Sequence, residues 1–285
     1  MKILVTGCSG QLGFDVCREL TKRRIDYYGA VRKDFDLIDG KAAAAFVAAY
    51  APDAVIHCAA YTDVDRAEDE VNVCRKINVD AARVMARVCK TIGAKMIYVS
   101  TDYVFDGIGE EFYPVNGSKA PLNVYGQSKS DGEEAVRGLL NECFIVRTSW
   151  VFGINGNNFV RTMLRLAESH DVLKVVDDQV GSPTYTVDLA VLLCDMVMSD
   201  KYGIYHATNE GICSWAEYAR EIFRQTKISV QVVGQSAVSY PTKAKRPLNS
   251  RLSKKSLEDA GFTRLPDWHD ALQRYIQELR DKGSV

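Results

Sequence analysis

The sequence predicts an α/β protein, a doubly wound parallel sheet with a smaller C-terminal lobe interleaved with it. Two observations support this fold class. Short β-branched runs alternate with helical runs over residues 1–150, the order typical of a parallel sheet covered on both faces. After Trp150 the alternation loosens, and no clean linker marks a boundary. Right-handed crossovers between parallel strands would then place helices on both faces of the sheet.

The first half supplies the elements of the sheet in order. We predict strands over residues 2–6, 26–31, 53–58, 95–100 and 143–148. We predict helices over residues 11–22, 40–50, 71–92 and 124–140. The first helix carries Leu12, Val16 and Leu20 four residues apart, which puts an apolar stripe on one face.

The second half is expected to form most of the smaller lobe. We predict helices over residues 158–169, 186–199, 215–226 and 265–279, and a strand over 172–176. A loop rich in Ser, Pro and Lys runs to residue 250. We therefore divide the chain into residues 1–150 and residues 151–285, with some later segments returning to the first sheet.

Composition excludes several classes of partner. The 285 residues are 47% apolar and 26% charged, and 36 basic against 37 acidic residues leave a net charge of −1. Such a chain has no general affinity for nucleic acid or anionic membranes. No secretory signal is recognised, and no apolar run approaches the roughly 18 residues of a membrane span. We expect a cytoplasmic protein.

Cysteine and histidine spacing gives no metal signature. The eight cysteines are scattered without a C-x-x-C pair, and the four histidines share no ligand-like spacing. We expect the cysteines to be small buried side chains with free thiols, in a reducing compartment. We predict no metal site.

A glycine-rich turn joins the first strand to the first helix. Gly7, Gly10 and Gly13 are spaced Gly-x-x-Gly-x-x-Gly, with Gln11 and Leu12 between the last two. Glycine permits a tight turn and close backbone approach to a pyrophosphate, and the helix N-terminus offers free N–H groups to the anion. In this strand–turn–helix context the motif predicts a Rossmann dinucleotide-binding domain over residues 1–150. The alternative is a tight turn that binds nothing.

The end of the second strand bears on which dinucleotide binds. Val31 stands where an acid commonly holds the ribose 2′-OH of NAD, and Arg32 and Lys33 follow it. Two cations suit a 2′-phosphate, so we expect NADPH, with NADH possible. A solvated basic loop is the alternative. Further cofactor contacts are expected from Asp36 and Leu37 near the adenine, and from Cys58, Ala59, Ala60 and Tyr61 after the third strand.

Candidate catalytic residues follow the fourth strand. A run of hydroxyls and a carboxylate, Ser100 to Phe105, lies where ligands bind in such sheets. Tyr125 and Lys129 come later, four residues apart and therefore on one face of a helix. Alone such a pair is usually an exposed helical pair, but after a cofactor loop it indicates catalysis.

The pair suits the reduction of a ketone. Hydride addition leaves an alkoxide that needs a proton, and a free phenol with a pKa near ~10 is a poor donor at neutral pH. An ammonium about 4 Å away stabilises phenolate by about 1 to 4 kcal/mol, which lowers its pKa. We therefore expect Lys129 to tune Tyr125, with the Thr101 hydroxyl hydrogen-bonded to the substrate oxygen and the phenol.

These segments resemble the extended short-chain dehydrogenase/reductase family, and within it the branch that reduces dTDP-4-dehydro-L-rhamnose. The similarity covers nearly the whole chain. The matching segments are residues 6–13, 58–65, 67–70, 100–105, 122–129, 147–153, 157–160, 178–184, 246–247, 249–250 and 265–268.

The resemblance implies both an activity and roles for residues. The activity would be NAD(P)H-dependent reduction of the C4 keto group to give dTDP-L-rhamnose, with Thr101, Tyr125 and Lys129 as the catalytic triad. Tyr125 and Lys129 would also touch the cofactor. The substrate would contact Thr62, Val64, Asp102, Tyr103 and Trp150 in the sugar pocket, with Asn158 and Arg246 at its nucleotide or diphosphate.

Some features depart from the family or leave alternatives open. Some relatives hold Mg²⁺ between glutamates at a dimer interface, where this chain offers only Asp15 and Asp188; a homodimer is nevertheless possible. Core packing is an alternative role for Tyr103 and Trp150, and a surface cation is one for Arg246. The protein could also reduce another nucleotide-linked 4-keto-6-deoxy sugar, or be a non-catalytic regulatory subunit of the same fold. An epimerase is less favoured.

Overall fold

A six-stranded parallel sheet forms the centre of the molecule, in a computed structural model that describes residues 1–283. The strand order is β10-β5-β4-β3-β1-β2, and every neighbouring pair is parallel. Its strands are β1 (Lys2–Thr6), β2 (Asp26–Ala30), β3 (Ala54–His57), β4 (Lys95–Thr101), β5 (Cys143–Thr148) and β10 (Gly203–His206). The prediction of an α/β doubly wound sheet is confirmed.

Helices cover both faces of this sheet because its strands are apolar on both sides. Ile3 and Val5 pack beneath α1 (Gln11–Lys22) and α8 (Thr186–Val197), whereas Leu4 faces the opposite layer. That opposite layer consists of α2 (Gly40–Tyr50), α5 (Ala81–Ile92) and α6 (Val124–Arg137). Two buried faces explain why the strands read as continuous apolar runs rather than as alternating ones.

The long helix predicted over residues 71–92 is interrupted in its middle. It consists of α4 (Val71–Arg75), a π-helical turn over Lys76–Asp80, and α5. Asn78 lies in that wider turn, where its side chain accepts a hydrogen bond from the backbone N–H of Tyr61 and donates to the Tyr61 carbonyl. Such bulges are frequent near functional sites, and this one holds the segment that precedes the short helix α3 (Val64–Ala67).

A second core lies beyond the sheet. It is formed by α7 (Phe159–Ala167), α9 (Trp215–Thr226) and α11 (Trp268–Asp281), with α10 (Lys255–Asp259) packed nearer the main sheet. Short strand pairs join these helices: β6 (Val151–Phe152) with β9 (Thr184–Tyr185), β7 (Val172–Val176) with β12 (Gln231–Gln235), and β8 (Val180–Gly181) with both β11 (Cys213–Ser214) and β13 (Asn249–Ser250). Because α8 and β10 return to the main sheet, the two cores are interleaved along the chain.

Sequence patterns missed β10, β12 and the two-residue strands, and they misplaced several ends. The predicted strands at 26–31 and 53–58 are shorter, and β4 extends to Thr101. The last helix was predicted from residue 265 but begins at Trp268, because the Asp267 side chain accepts a hydrogen bond from the His269 N–H and caps it. All eight cysteines are unpaired. Within residues 1–283, no helix is both long and apolar enough to cross a membrane.

Candidate active site

A cleft of about 700 Å³ opens at the carboxyl ends of β1, β3, β4 and β5. This edge is where ligands bind in open parallel sheets. The cleft brings together most of the residues expected at a site: Gly7, Gly10, Gln11, Leu12, Gly13, Arg32, Asp36, Leu37, Cys58, Ala59, Ala60, Thr62, Val64, Thr101, Asp102, Tyr103, Tyr125, Lys129 and Trp150. Lys33, Tyr61, Asn158 and Arg246 are not among its lining residues.

The glycine turn leaves an anion-binding cradle at the start of α1. Gly7 has a φ of +74°, and a Cβ on Gly13 would lie 2.3 Å from the Gly7 carbonyl oxygen. Gly10 caps α1 without a side-chain hydrogen bond, and the first turn contains no acid. Free N–H groups and the positive end of the helix dipole therefore face the cleft, which suits the pyrophosphate of a dinucleotide.

A loop of the second lobe holds this turn in place. The Gln11 side chain accepts hydrogen bonds from the Gly153 N–H at 2.9 Å and from the Asn158 amide at 3.1 Å. Asn155 donates to the carbonyls of Ser9 and Gly10. The cradle is therefore held from both lobes.

The basic loop after β2 lies at one end of the cleft. Arg32 is 80% exposed and forms an ion pair with Asp36 at 3.0 Å. Hydrogen bonding by the Ile38 N–H, together with Arg32, lowers the pKa of Asp36. The guanidinium is thus at the cleft and accessible to a phosphate, whereas Lys33 is exposed outside it.

Small residues after β3 let the chain approach the turn closely. A Cβ on Gly7 would lie 2.8 Å from the Ala59 backbone nitrogen, and the Ala59 N–H donates to the Thr6 hydroxyl at 3.2 Å. Beside them, burial lowers the pKa of His57 to about 3, so its ring is neutral. Tyr61 is turned away, with its hydroxyl donating to Glu70.

The three candidate catalytic residues converge at the centre of the cleft. Thr101 ends β4, and Tyr125 and Lys129 lie one turn apart near the start of α6. Asn123 caps that helix by accepting from the Gly126 N–H at 2.8 Å. Gly126 is needed there, because a Cβ would lie 2.3 Å from the Tyr103 carbonyl oxygen. The helix start therefore packs directly against the end of β4.

Burial is the largest influence on both members of the Tyr–Lys pair. It raises the pKa of Tyr125, while a hydrogen bond with Thr101 acts in the opposite direction. Burial also lowers the pKa of Lys129 to about 7, and the Glu133 carboxylate opposes that change. The Lys129 ammonium donates to the Val99 carbonyl at 2.6 Å and lies 4.1 Å from the centre of the Tyr98 ring. Tuning of Tyr125 by Lys129 stays a prediction.

A buried carboxylate adjoins Thr101, the candidate catalytic threonine. Asp102 accepts hydrogen bonds from the hydroxyls of Thr101 at 3.0 Å and Ser250 at 2.5 Å. Burial raises its pKa to about 6, although these hydrogen bonds oppose the change. The next residue, Tyr103, packs edge-on against Tyr125 with ring centres 5.6 Å apart. Asp102 and Tyr103 thus form one wall beside the phenol.

A stacked pair of tryptophans forms another wall of the cleft. The sequence predicted only one of the two, Trp150, as a site residue. Trp150 has a φ of +49°, and its ring stacks on Trp215 at 3.7 Å. Gly181 packs against the Trp150 ring, since a Cβ there would lie 3.0 Å from it. Trp215 is the first residue of α9 and also lines the cleft. No local signal distinguishes Trp215 from a core tryptophan, because its partner lies 65 residues away in the chain.

Asn158 and Arg246 have protein partners. The Asn158 side chain caps α7 and donates to Gln11, to the Gly153 carbonyl and to the Tyr275 hydroxyl. It is used within the protein rather than directed at the cleft. Arg246 forms a 2.6 Å ion pair with Asp65 and lies 3.4 Å from the Tyr103 hydroxyl, so it reaches the cleft border only through that tyrosine.

The two carboxylates considered as metal ligands also have protein partners. Asp15 accepts from Thr186 at 2.5 Å and Arg18 at 2.8 Å, and Asp188 pairs with Arg274 at 2.8 Å. Over residues 1–283 the structure contains no group of three or more His, Cys, Asp or Glu side chains suited to a metal ion.

Fold and cleft together define a Rossmann-type oxidoreductase of the short-chain dehydrogenase/reductase class. The chain belongs to the RmlD substrate-binding domain family, whose model matches residues 1–281. It is similar to the spore coat polysaccharide biosynthesis protein SpsK of Bacillus subtilis, with 40% identity over 277 residues that cover 97% of each chain.

Two solved structures of dTDP-4-dehydrorhamnose reductases superpose closely on the chain. One, from Clostridium acetobutylicum, has a TM-score of 0.96 and 40% identity, and the match covers 98% of this chain and 100% of that one. The other, from Bacillus anthracis, is a complex with NADP; it has a TM-score of 0.94 and 41% identity, over 97% of this chain and 99% of that one.

Proposed function

We propose that this protein is an NADPH-dependent reductase of the C4 keto group of dTDP-4-dehydro-L-rhamnose. The observation that carries the proposal is the convergence of Thr101, Tyr125 and Lys129 in one cleft with a glycine cradle. The similarity over nearly the full length to dTDP-4-dehydrorhamnose reductases supports the sugar, and the relative that binds NADP supports the cofactor. A cytoplasmic location and a homodimer stay predictions.

The cradle and the basic loop fit the cofactor. The free N–H groups at the start of α1 would hold the pyrophosphate, and Arg32 would pair with the 2′-phosphate of NADPH. Bound nicotinamide supplies hydride to the substrate. Residues 1–150 would bind this cofactor, and residues 151–285 would contribute to the sugar-nucleotide site through Val151, Asn157 and Trp215, which line the cleft.

The protein's own groups would manage the proton. Tyr125 keeps its hydroxyl proton at neutral pH, and burial raises its pKa, so the phenol is a weak acid in the free protein. It would donate this proton to the C4 oxygen as charge develops there in the reaction. Thr101 would hydrogen-bond the same oxygen, and Lys129 would stabilise the phenolate that remains. Thr62, Val64, Asp102, Tyr103 and Trp150 would surround the sugar.

The test is the decay of nicotinamide absorbance with dTDP-4-dehydro-L-rhamnose, using NADPH and NADH in parallel. We expect rapid oxidation that the Tyr125→Phe variant loses. Tyr205→Phe is the matched control, because that hydroxyl donates to the Lys201 carbonyl outside the cleft. Cofactor binding without oxidation would exclude the named substrate and favour another keto-sugar or the regulatory role.

A further inference from the structure

A buried ion pair lies directly behind the catalytic residues. Glu133 and Arg147 are both about 2% exposed or less, and two hydrogen bonds of 2.8 Å join the carboxylate to the guanidinium. Glu133 follows Lys129 by one turn of α6, and Arg147 lies in β5 next to Thr148. The pair therefore connects the catalytic helix to the neighbouring strand of the sheet.

The same carboxylate reaches the strand that carries the catalytic threonine. The Ser100 hydroxyl donates to Glu133 at 2.6 Å, and Ser100 immediately precedes Thr101. Lys119 lies 3.3 Å from the other carboxylate oxygen. Burial by itself raises the pKa of Glu133, but Arg147, Ser100 and Lys119 together keep that pKa below its ordinary value. The carboxylate is thus ionised and fully hydrogen-bonded.

The helix must approach the sheet closely for these contacts to form. Gly132 precedes Glu133, and a Cβ there would lie 2.2 Å from the Tyr98 hydroxyl and 2.4 Å from the Asn78 carbonyl oxygen. The absence of a side chain allows α6 to rest on β4 and on the π-helical turn. Two adjacent residues, Gly132 and the ion-paired Glu133, therefore set the position of this helix.

We propose that Glu133 is a positioning residue of the reaction. Through Ser100 and Arg147 it fixes the catalytic helix against the ends of β4 and β5, and it presents a negative charge one turn from Lys129. This inference rests on the proposed function and assigns Glu133 no contact with substrate.

The charge of Glu133 bears on the protonation of Lys129. Burial lowers the pKa of Lys129 to about 7, and Glu133 is the largest influence in the opposite direction. Removing the carboxylate should lower that pKa further, so activity would be lost at a lower pH on the alkaline side. The other groups around the ammonium are Tyr98 on β4, His57 on β3, Cys58 after β3 and Cys74 on α4. Tyr125 lies one turn earlier on α6. Burial keeps both thiols protonated and the imidazole neutral.

The experiment compares the pH profiles of kcat/KM for the keto-sugar in wild type and Glu133→Gln. We expect the alkaline limb to move down by about one pH unit, a loss of about tenfold at pH 8 and less at pH 6. Asp188→Asn is the matched control, because it breaks another bidentate arginine pair that lies outside the cleft. An unmoved limb, or equal losses at every pH, would overturn the proposal.

Two further variants complete the test, one for failed folding and one for the link through Ser100. Glu133→Gln leaves Arg147 buried without its carboxylate partner, a costly state, whereas the double variant E133Q/R147M removes both charges of the pair and should fold. It should show the same shifted limb. Ser100→Ala keeps both charges, so its limb should stay in place while kcat falls severalfold because the link to Thr101 is lost. Unchanged kcat in Ser100→Ala would refute the positioning role.

A binding measurement separates this proposal from the proposed function. NADPH affinity, followed by tryptophan fluorescence between pH 6 and 9, needs no sugar substrate. We expect wild-type affinity to weaken as Lys129 loses its proton, and in Glu133→Gln to weaken about one pH unit lower. If wild type binds NADPH but reduces no keto-sugar, the proposed function fails and this profile still decides the role of Glu133.

Discussion

Replacing Lys129 by methionine should stabilise the protein while it removes activity. The side chain is buried, and burial lowers its pKa from 10.5 to about 7. At about 1.4 kcal/mol per pKa unit, this change corresponds to about 5 kcal/mol of folding free energy spent on keeping the ammonium charged. Methionine removes that cost but also the hydrogen bond to the Val99 carbonyl, worth about 1 kcal/mol. The net gain at pH 6 should be about 4 kcal/mol.

The sign of the pH dependence follows from proton counting. Between pH 7 and pH 10.5 the unfolded chain binds the Lys129 proton more tightly than the folded protein does, so the free energy of unfolding of wild type rises with pH there. The methionine variant lacks this contribution. The stability advantage of the variant should therefore be greatest near pH 6, shrink as the pH rises, and reverse slightly by about pH 10.5, where only the lost hydrogen bond remains.

Urea denaturation without cofactor at pH 6, 7, 8, 9 and 10 measures this difference. Other titrating groups cancel because both proteins contain them. A difference that stays constant across the range would refute the reasoning, since it would mean that Lys129 keeps an ordinary pKa in the folded protein. A variant that is less stable at every pH would refute it too.

Three further predictions concern the cofactor site and metals. Gly13→Ala should weaken NADPH binding at least tenfold, about 1.4 kcal/mol, because its Cβ would lie 2.3 Å from the Gly7 carbonyl oxygen. Gly138→Ala is the control, because Gly138 has ordinary helical backbone at the end of α6, and it should leave NADPH affinity unchanged in titrations. Equal NADPH affinities in the two variants would contradict the role of the glycine turn in cofactor binding. Arg32→Ala should raise KM for NADPH about tenfold and leave that for NADH unaltered, since only NADPH carries the 2′-phosphate; parallel changes in both would argue against a phosphate contact. EDTA should change neither kcat nor Tm, because Asp15 is satisfied by protein donors, and activity restored by Mg²⁺ after chelation would show that this is wrong.

Local sequence patterns predicted the features that depend only on residues close together in the chain. The spacing of the glycines and the four-residue interval between Tyr125 and Lys129 are visible in the chain, because backbone geometry alone places such residues together. The strand β10 escaped prediction because it is four residues long and half of it is incompletely buried. The π-helical turn also escaped prediction; its Asn78 pairs with Tyr61, which lies outside the helix.

The sequence by itself determined five of the six strands of the sheet, the cofactor turn and the identity of the catalytic candidates. Tertiary structure alone decided which distant residues serve them. It stacked Trp215 on Trp150, joined Glu133 to Arg147 behind the candidate catalytic residues, and used Asn158 to hold the glycine turn. The physical reason is that these contacts join different elements, so they depend on how helices and strands pack rather than on the spacing within any one of them.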